Sequence, residues 1–143
     1  FDPVRTLGTP STGRRSVAVG NYDHVTEAPS GSSGRGTTRD GREKPDVAAP
    51  GTRIFSSNSL GGQLDADDNP IPMRTEMSGT SMAAPHVSGM IALMFERNPG
   101  LTSEQVRKIL IASAVPPTGI TPFEPAWGFG KADAFAAVEL SAP

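Results

Sequence analysis

The sequence contains no cysteine. That excludes a disulfide framework, a thiol nucleophile and a cysteine-bound zinc, and leaves the compartment open. Positive charge is not in excess: 13 Lys and Arg stand against 15 Asp and Glu, a formal net charge of −2. No basic field therefore speaks for nucleic acid or an anionic membrane surface. No apolar run approaches the ~20 residues that cross a bilayer. No signal peptide is visible at Phe1, and Phe1-Asp2-Pro3-Val4-Arg5 reads as the interior of something longer. There is no internal repeat and no low-complexity tract. What is present is 143 residues, one domain's worth of chain, 36% hydrophobic and 20% charged. Its 16 glycines and 14 prolines predict many turns and short elements.

Residues 1–15 are turn-rich. Ser16-Val17-Ala18-Val19-Gly20 is a short apolar run bounded by turn residues, predicting a buried strand of a parallel sheet. Residues 21–44 read as a long solvated loop, in which Asp40 and Glu43 interleave with the basic residues. Lys44 to Gly51 predicts a very short strand closed by a Pro-Gly turn, and Arg53 to Ser57 another. A polar loop covers 58–72, and Met73 to Met77 lead into a helix over about 80–97 that is apolar almost all round. Such a helix belongs in the middle of a domain, not on its rim. Asn98-Pro99-Gly100 ends it. Thr102 and Gln105 have capping-box spacing ahead of a second helix over about 103–114. Trp127-Gly128-Phe129-Gly130 is a glycine-jointed aromatic turn, followed by a last helix over about 131–140.

The chemistry gathers at Met77-Ser78-Gly79-Thr80-Ser81-Met82-Ala83-Ala84-Pro85-His86-Val87-Ser88-Gly89. Ser81 stands where the central helix begins. Backbone N–H groups are free there, and the positive end of the helix dipole favours a developing negative charge. Gly79 lacks a Cβ, so a substrate backbone could come close. A serine hydroxyl is a weak nucleophile until a base takes its proton. His86 is five residues along the same helix, about 140° round it, and reads as a buried, hydrogen-bonded structural histidine. His24, in a loop, reads as a surface histidine.

Gly79 to Gly89 resembles the nucleophile motif of the subtilisin-like serine peptidases almost residue for residue. Three further stretches resemble the family in the same order: Ser16 to Gly20, Asp40 to Gly51, and Trp127 to Ala134. Arg35-Gly36-Thr37-Thr38 departs from it, since many relatives have proline after the glycine. The resemblance implies an α/β fold of three layers, with a mostly parallel sheet flanked by helices. It implies a serine endopeptidase that cleaves polypeptides through an acyl-enzyme on Ser81, whose own N–H donates to the oxyanion. Thr80 would support that site, Met82 would be its oxidation-sensitive neighbour, and Ser78 would lie along the substrate cleft. No cofactor is required, and a secreted location is the family expectation. In this family the catalytic Asp and His come before the Ser in the chain. Residues 1–143 are thus expected to be the C-terminal portion of one peptidase domain, without the Asp and His portion and inactive alone. The expected partner is that N-terminal half. Failing it, an open sheet edge and an uncovered helix face predict self-association. The alternative is a non-catalytic interaction or pseudoenzyme domain of the same fold.

One further constellation is Asp65, Asp67, Asn69 and Glu76. Their spacing follows a calcium loop except for Pro70 where glycine belongs. An acidic surface loop is the reading preferred there, with calcium as a structural ion the alternative.

Overall fold

The computed structural model describes residues 5–119 and 122–143; the opening Phe1–Val4 lies outside them. Two strands form its centre. β1 (Val19–Asp23) and β3 (Val47–Pro50) pair in parallel, Val19 opposite Val47 and Tyr22 opposite Pro50. β2 (Ala28–Pro29) adds an antiparallel pair on the other side of β1, reaching only Tyr22 and Asp23. Beyond β3 the chain returns at Lys131, which bridges Ala48 in parallel. β4 (Ile54–Ser57) and β5 (Arg74–Met77) form a separate antiparallel hairpin.

The alternation of β3 assigns its two faces. Val47 and Ala49 point into a core shared with Ala83, Val87 and Met94 of α1 (Thr80–Arg97), Val106 and Leu110 of α2 (Ser103–Ser113) and Ala137 of α3 (Ala134–Leu140). Ala48 points the other way, onto Ala126 and Trp127. Helices thus cover one face of the strands and the Trp127 turn the other. Met94 and Leu110 are fully buried, each contributing roughly 1.5–3 kcal/mol of hydrophobic stabilisation.

α1 spans the residues that sequence predicts, but its surroundings differ. Only Ala83, Val87 and Met94 are buried, whereas Leu93 is 49% exposed. The helix packs on β1 and β3 with one face and leaves the other open, so in this chain it lies at a rim. His86 sits on the open face and is exposed, which corrects the buried reading. Its Nδ1–H donates to the Met82 carbonyl at 2.9 Å, so the hydrogen bond is local to the helix.

Three boundaries move for identifiable reasons. The first strand begins at Val19 and not Ser16, because side chains take the backbone groups before it. The Asp46 carboxylate accepts from Ala18 N–H at 2.7 Å, and Lys44 Nζ donates to the Ser16 carbonyl at 2.6 Å. Residues 73–77, expected only to lead into α1, supply strand β5. The last helix starts at Ala134, since Lys131 bridges both Ala48 and Val115 and Asp133 caps the helix through Ala136 N–H. The capping box of α2 is present, with Thr102 and Gln105 exchanging side-chain bonds.

Candidate active site

The C-terminal ends of β1 and β3 carry the site. After β3 the chain turns at Gly51, whose carbonyl accepts the Gly79 N–H at 2.7 Å. A Cβ on Gly51 would lie 2.5 Å from Asn21 Oδ1 and 2.6 Å from the Gly79 carbonyl oxygen. Only glycine lets these segments approach so closely. Gly79 itself has φ 153, a backbone that L side chains rarely adopt. It holds the N-cap position of α1, and no side chain caps the helix. The usual Ser, Thr, Asp or Asn acceptor is missing where the motif begins. Met82 N–H and Ala83 N–H fold back onto the Gly79 carbonyl at 3.0 and 3.3 Å, while Ser81 N–H has no partner among the described residues.

Ser81 is exposed, and its hydroxyl makes no hydrogen bond among the described residues. It lines an open groove of about 360 Å³ with Met82, Pro85 and His86 of α1 and with Ile54, Phe55 and Ser56 of β4. Phe55 is 65% exposed, so the groove has an apolar wall. Of the other expected residues, Thr80 opens α1 and Gly79 shapes its start. Ser78 serves the scaffold directly: its Oγ accepts the Arg53 N–H at 2.9 Å, tying the turn after β3 to the end of β5. Arg53 in turn pairs with Asp23 at 3.0 Å. The hydrogen bond from Val25 N–H, followed by that from Arg53, holds the Asp23 carboxyl below its ordinary value.

His86 shares the groove, with Nδ1 committed to Met82. His24 is exposed after β1. Neither histidine is hydrogen-bonded to Ser81.

The acidic loop stands apart from this groove. Asp65 Oδ1 accepts Asp67 N–H and Asn69 N–H, both at 2.9 Å. Those two bonds, Asn69 first, hold its carboxyl below the ordinary value. Glu76 lies in β5, opposite Phe55. Among the described residues no three His, Cys, Asp or Glu side chains gather into a group that could hold a metal.

An exposed hydroxyl beside an unpartnered N–H at a helix start, lining an open groove, has chemistry compatible with acyl transfer. Comparison with known proteins shows the family. The Subtilase family model matches residues 3–134. The chain belongs to the subtilase family. It is 35% identical over 115 residues to the serine protease AprX of Bacillus subtilis, covering 74% of this chain and 26% of AprX. Its fold superposes on the Clostridium perfringens CspB protease with a TM-score of 0.79 at 34% identity, over 95% of this chain and 29% of that one. Fervidolysin from Fervidobacterium pennivorans, a keratinolytic enzyme related to subtilisin, matches with a TM-score of 0.73 at 27% identity, over 92% of this chain and 20% of that one. The chain thus spans about a quarter of the length of these subtilases. The α/β fold class follows from the same neighbours.

The sequence did not single out the β4 wall or Asn21. Asn21 is fully buried behind Gly51, takes a hydroxyl bond from Thr52 at 3.3 Å, and leaves Nδ2 without a partner among the described residues. The Pro50-Gly51 turn was the available signal, because a turn glycine beside a nucleophile motif often marks a close approach.

Proposed function

We propose that the protein carrying this chain is a serine endopeptidase, and that Ser81 is its nucleophile. The observation that carries the reading is the uncapped start of α1. Ser81 Oγ would attack the scissile carbonyl carbon, forming the acyl-enzyme and expelling the amine. Ser81 N–H, lying free beside it, would donate to the oxyanion. Thr80 supports this turn, and Met82 flanks the groove as the residue most open to oxidation there. Ser78 acts through the Arg53 turn that aligns β4 and β5 with the groove. An extended polypeptide would lie along the β4 wall.

The proton of Ser81 needs a base, and neither His24 nor His86 is placed to take it. The catalytic His and Asp would be supplied by another part of the same domain. That part would pack on the open face of α1 and on the stretch of the β1 edge that β2 does not reach. The 143 residues alone are expected to be inactive and to self-associate through these surfaces, which light scattering reads. Export from the cell rests on the family alone, and a cytoplasmic location on fractionation would reject it.

The test uses the full-length protein and a fluorophosphonate probe, which reacts only with an activated serine. Labelling should map to Ser81 and vanish in Ser81→Ala, together with peptide hydrolysis. Loss of a triad serine costs on the order of 10⁶ in kcat, a figure measured in a member of this family. Hydrolysis that survives Ser81→Ala, or a folded protein that never labels, would overturn the proposal.

A further inference from the structure

The opposite end of the β1/β3 pair carries a feature that peptide hydrolysis does not use. The chain as a whole has a net charge of −2. Yet Arg14, Arg15, Arg107 and Lys108 line one cavity of about 440 Å³ with Glu104 as its only carboxylate. Arg14 and Arg107 also line an adjoining cavity of about 240 Å³, with Arg42, Lys44 and Glu43. The two cavities form one cationic trough with the shared arginines between them.

Its carboxylates are outnumbered. Asp40 serves two cations, Arg42 at 2.9 Å and Arg14 at 3.4 Å. Asp46 also serves two, Lys44 and Arg107, each at 2.6 Å. Glu104 is occupied by Lys108 at 2.8 Å. Arg15 makes no hydrogen bond or ion pair among the described residues. Two of the arginines are anchored. Asp46 is fully buried and grips Arg107 through Nε, which fixes the guanidinium plane. Arg42 is pinned through Nε to Asp40 and through Nη2 to the Thr12 carbonyl, while its Nη1 has no partner among the described residues. The local field is felt by Glu104. Its carboxyl is held below the ordinary value first by the hydrogen bond from Lys108, and also by the charges of Lys108, Arg107 and Arg15. The start of α2 is not the source of this site, because its capping box already bonds Gln105 N–H and Thr102 N–H internally.

We propose that this trough binds a compact oligo-anion with at least two tetrahedral oxyanion groups, one over each cavity, of the polyphosphate class. Guanidinium forks held in place match such oxygens two at a time. Two small cavities sharing a pair of arginines suit a chain of two or three phosphoryl groups better than a polypeptide. The trough lies at the N-terminal ends of the strands, whereas Ser81 lies beyond their C-terminal ends, and the two sites share no lining residue. Occupancy would add counter-charge where cations are crowded, so it should stabilise the fold without blocking the groove.

Isothermal titration of the full-length protein tests this at an ionic strength fixed near 0.15 M, to hold screening constant. The probes are orthophosphate, tripolyphosphate and a decamer of glutamate. Tripolyphosphate should bind saturably, one per chain, and at least about tenfold tighter than orthophosphate. Arg15→Ala combined with Lys108→Ala, both exposed positions, should weaken it about tenfold or more by removing two charge-assisted contacts. Arg97→Ala, outside the trough, should leave it unchanged, and peptidase labelling at Ser81 should persist in every variant. Equal affinity in the double variant, tighter binding of the glutamate peptide, or no saturation by tripolyphosphate would each overturn the proposal.

Discussion

The two ends of the β1/β3 pair are built on opposite plans. At the N-terminal end the buried carboxylate is saturated, although the cations around it outnumber their acceptors. Asp46, with no exposed surface, accepts from Ala18 N–H, Lys44 Nζ and Arg107 Nε, and Lys44 is itself almost wholly buried. At the C-terminal end groups are left unspent: Ser81 N–H and Oγ have no partner among the described residues, and α1 starts without a side-chain cap. A buried ion group with every partner in place fixes geometry. A helix start with a free donor is what the proposed oxyanion role of Ser81 N–H requires. The same pair of strands carries both.

The saturated end should be the more expensive to break. Asp46→Ala leaves Lys44 as a buried, uncompensated cation and frees Arg107 and the Ala18 N–H. Breaking a buried pair from one side costs about 3–5 kcal/mol, much of the stability of an ordinary domain. Urea unfolding of the full-length protein should show that loss, and a cost under about 1 kcal/mol would mean the group is no more than a surface pair. Asp46→Asn, which keeps an acceptor, should cost less than Asp46→Ala.

Gly51→Ala attacks the link between the strands and the unspent end. The new Cβ would meet Asn21 Oδ1 and the Gly79 carbonyl, so either the buried carboxamide or the start of α1 must shift. Overpacking of this kind costs about 1–3 kcal/mol. If Ser81 is the nucleophile as proposed, displacing its turn by an ångström can cost about 100-fold in rate. Fluorophosphonate labelling should therefore fall further than the loss of stability explains. Labelling at the wild-type rate in a destabilised protein would show that the Gly51–Gly79 contact does not set the position of Ser81.

Sequence reading and structure agree where the signal is local. Gly79 and Asn98-Pro99-Gly100 delimit α1, and Thr102 with Gln105 starts α2, because helix ends are decided within a few residues. Disagreement arises where distant side chains intervene. Ser16 to Ala18 has the composition of a strand, yet Lys44 and Asp46 take its carbonyl and amide, so pairing begins at Val19. Arg107 lies 61 residues from Asp46, and no local pattern could join them. β5 is polar and carries little of the apolar alternation that marks a half-buried strand. The all-round apolarity of α1 predicts deep burial, while this chain covers only one face of it. At the candidate site, Ser81 two residues after Gly79 was legible as a hydroxyl at the start of α1. The Phe55 wall was not, because an exposed phenylalanine in a short strand acquires meaning only beside the groove.

The smallest expected effect lies at the edge of the saturated end. Asp40 accepts from Arg42, and the Thr38 hydroxyl donates to it at 2.5 Å. The Arg42 bond first, and the Thr38 bond next, bring its pKa down from 3.8 to about 2. A carboxyl lowered on folding stabilises the protein above its unfolded pKa, and that contribution is lost as pH falls through the folded value. The window therefore runs from about pH 4 down to about pH 2, bounded by the unfolded and folded values. Because Asp40 is open to solvent, water screens the pair and the effect should be small. Thermal unfolding of wild type and Asp40→Asn would isolate it from the other lowered carboxyls. The gap in Tm should be largest near neutral pH and close across that window. A gap that stays constant with pH would mean that Asp40 contributes through its hydrogen-bonding shape and not its charge.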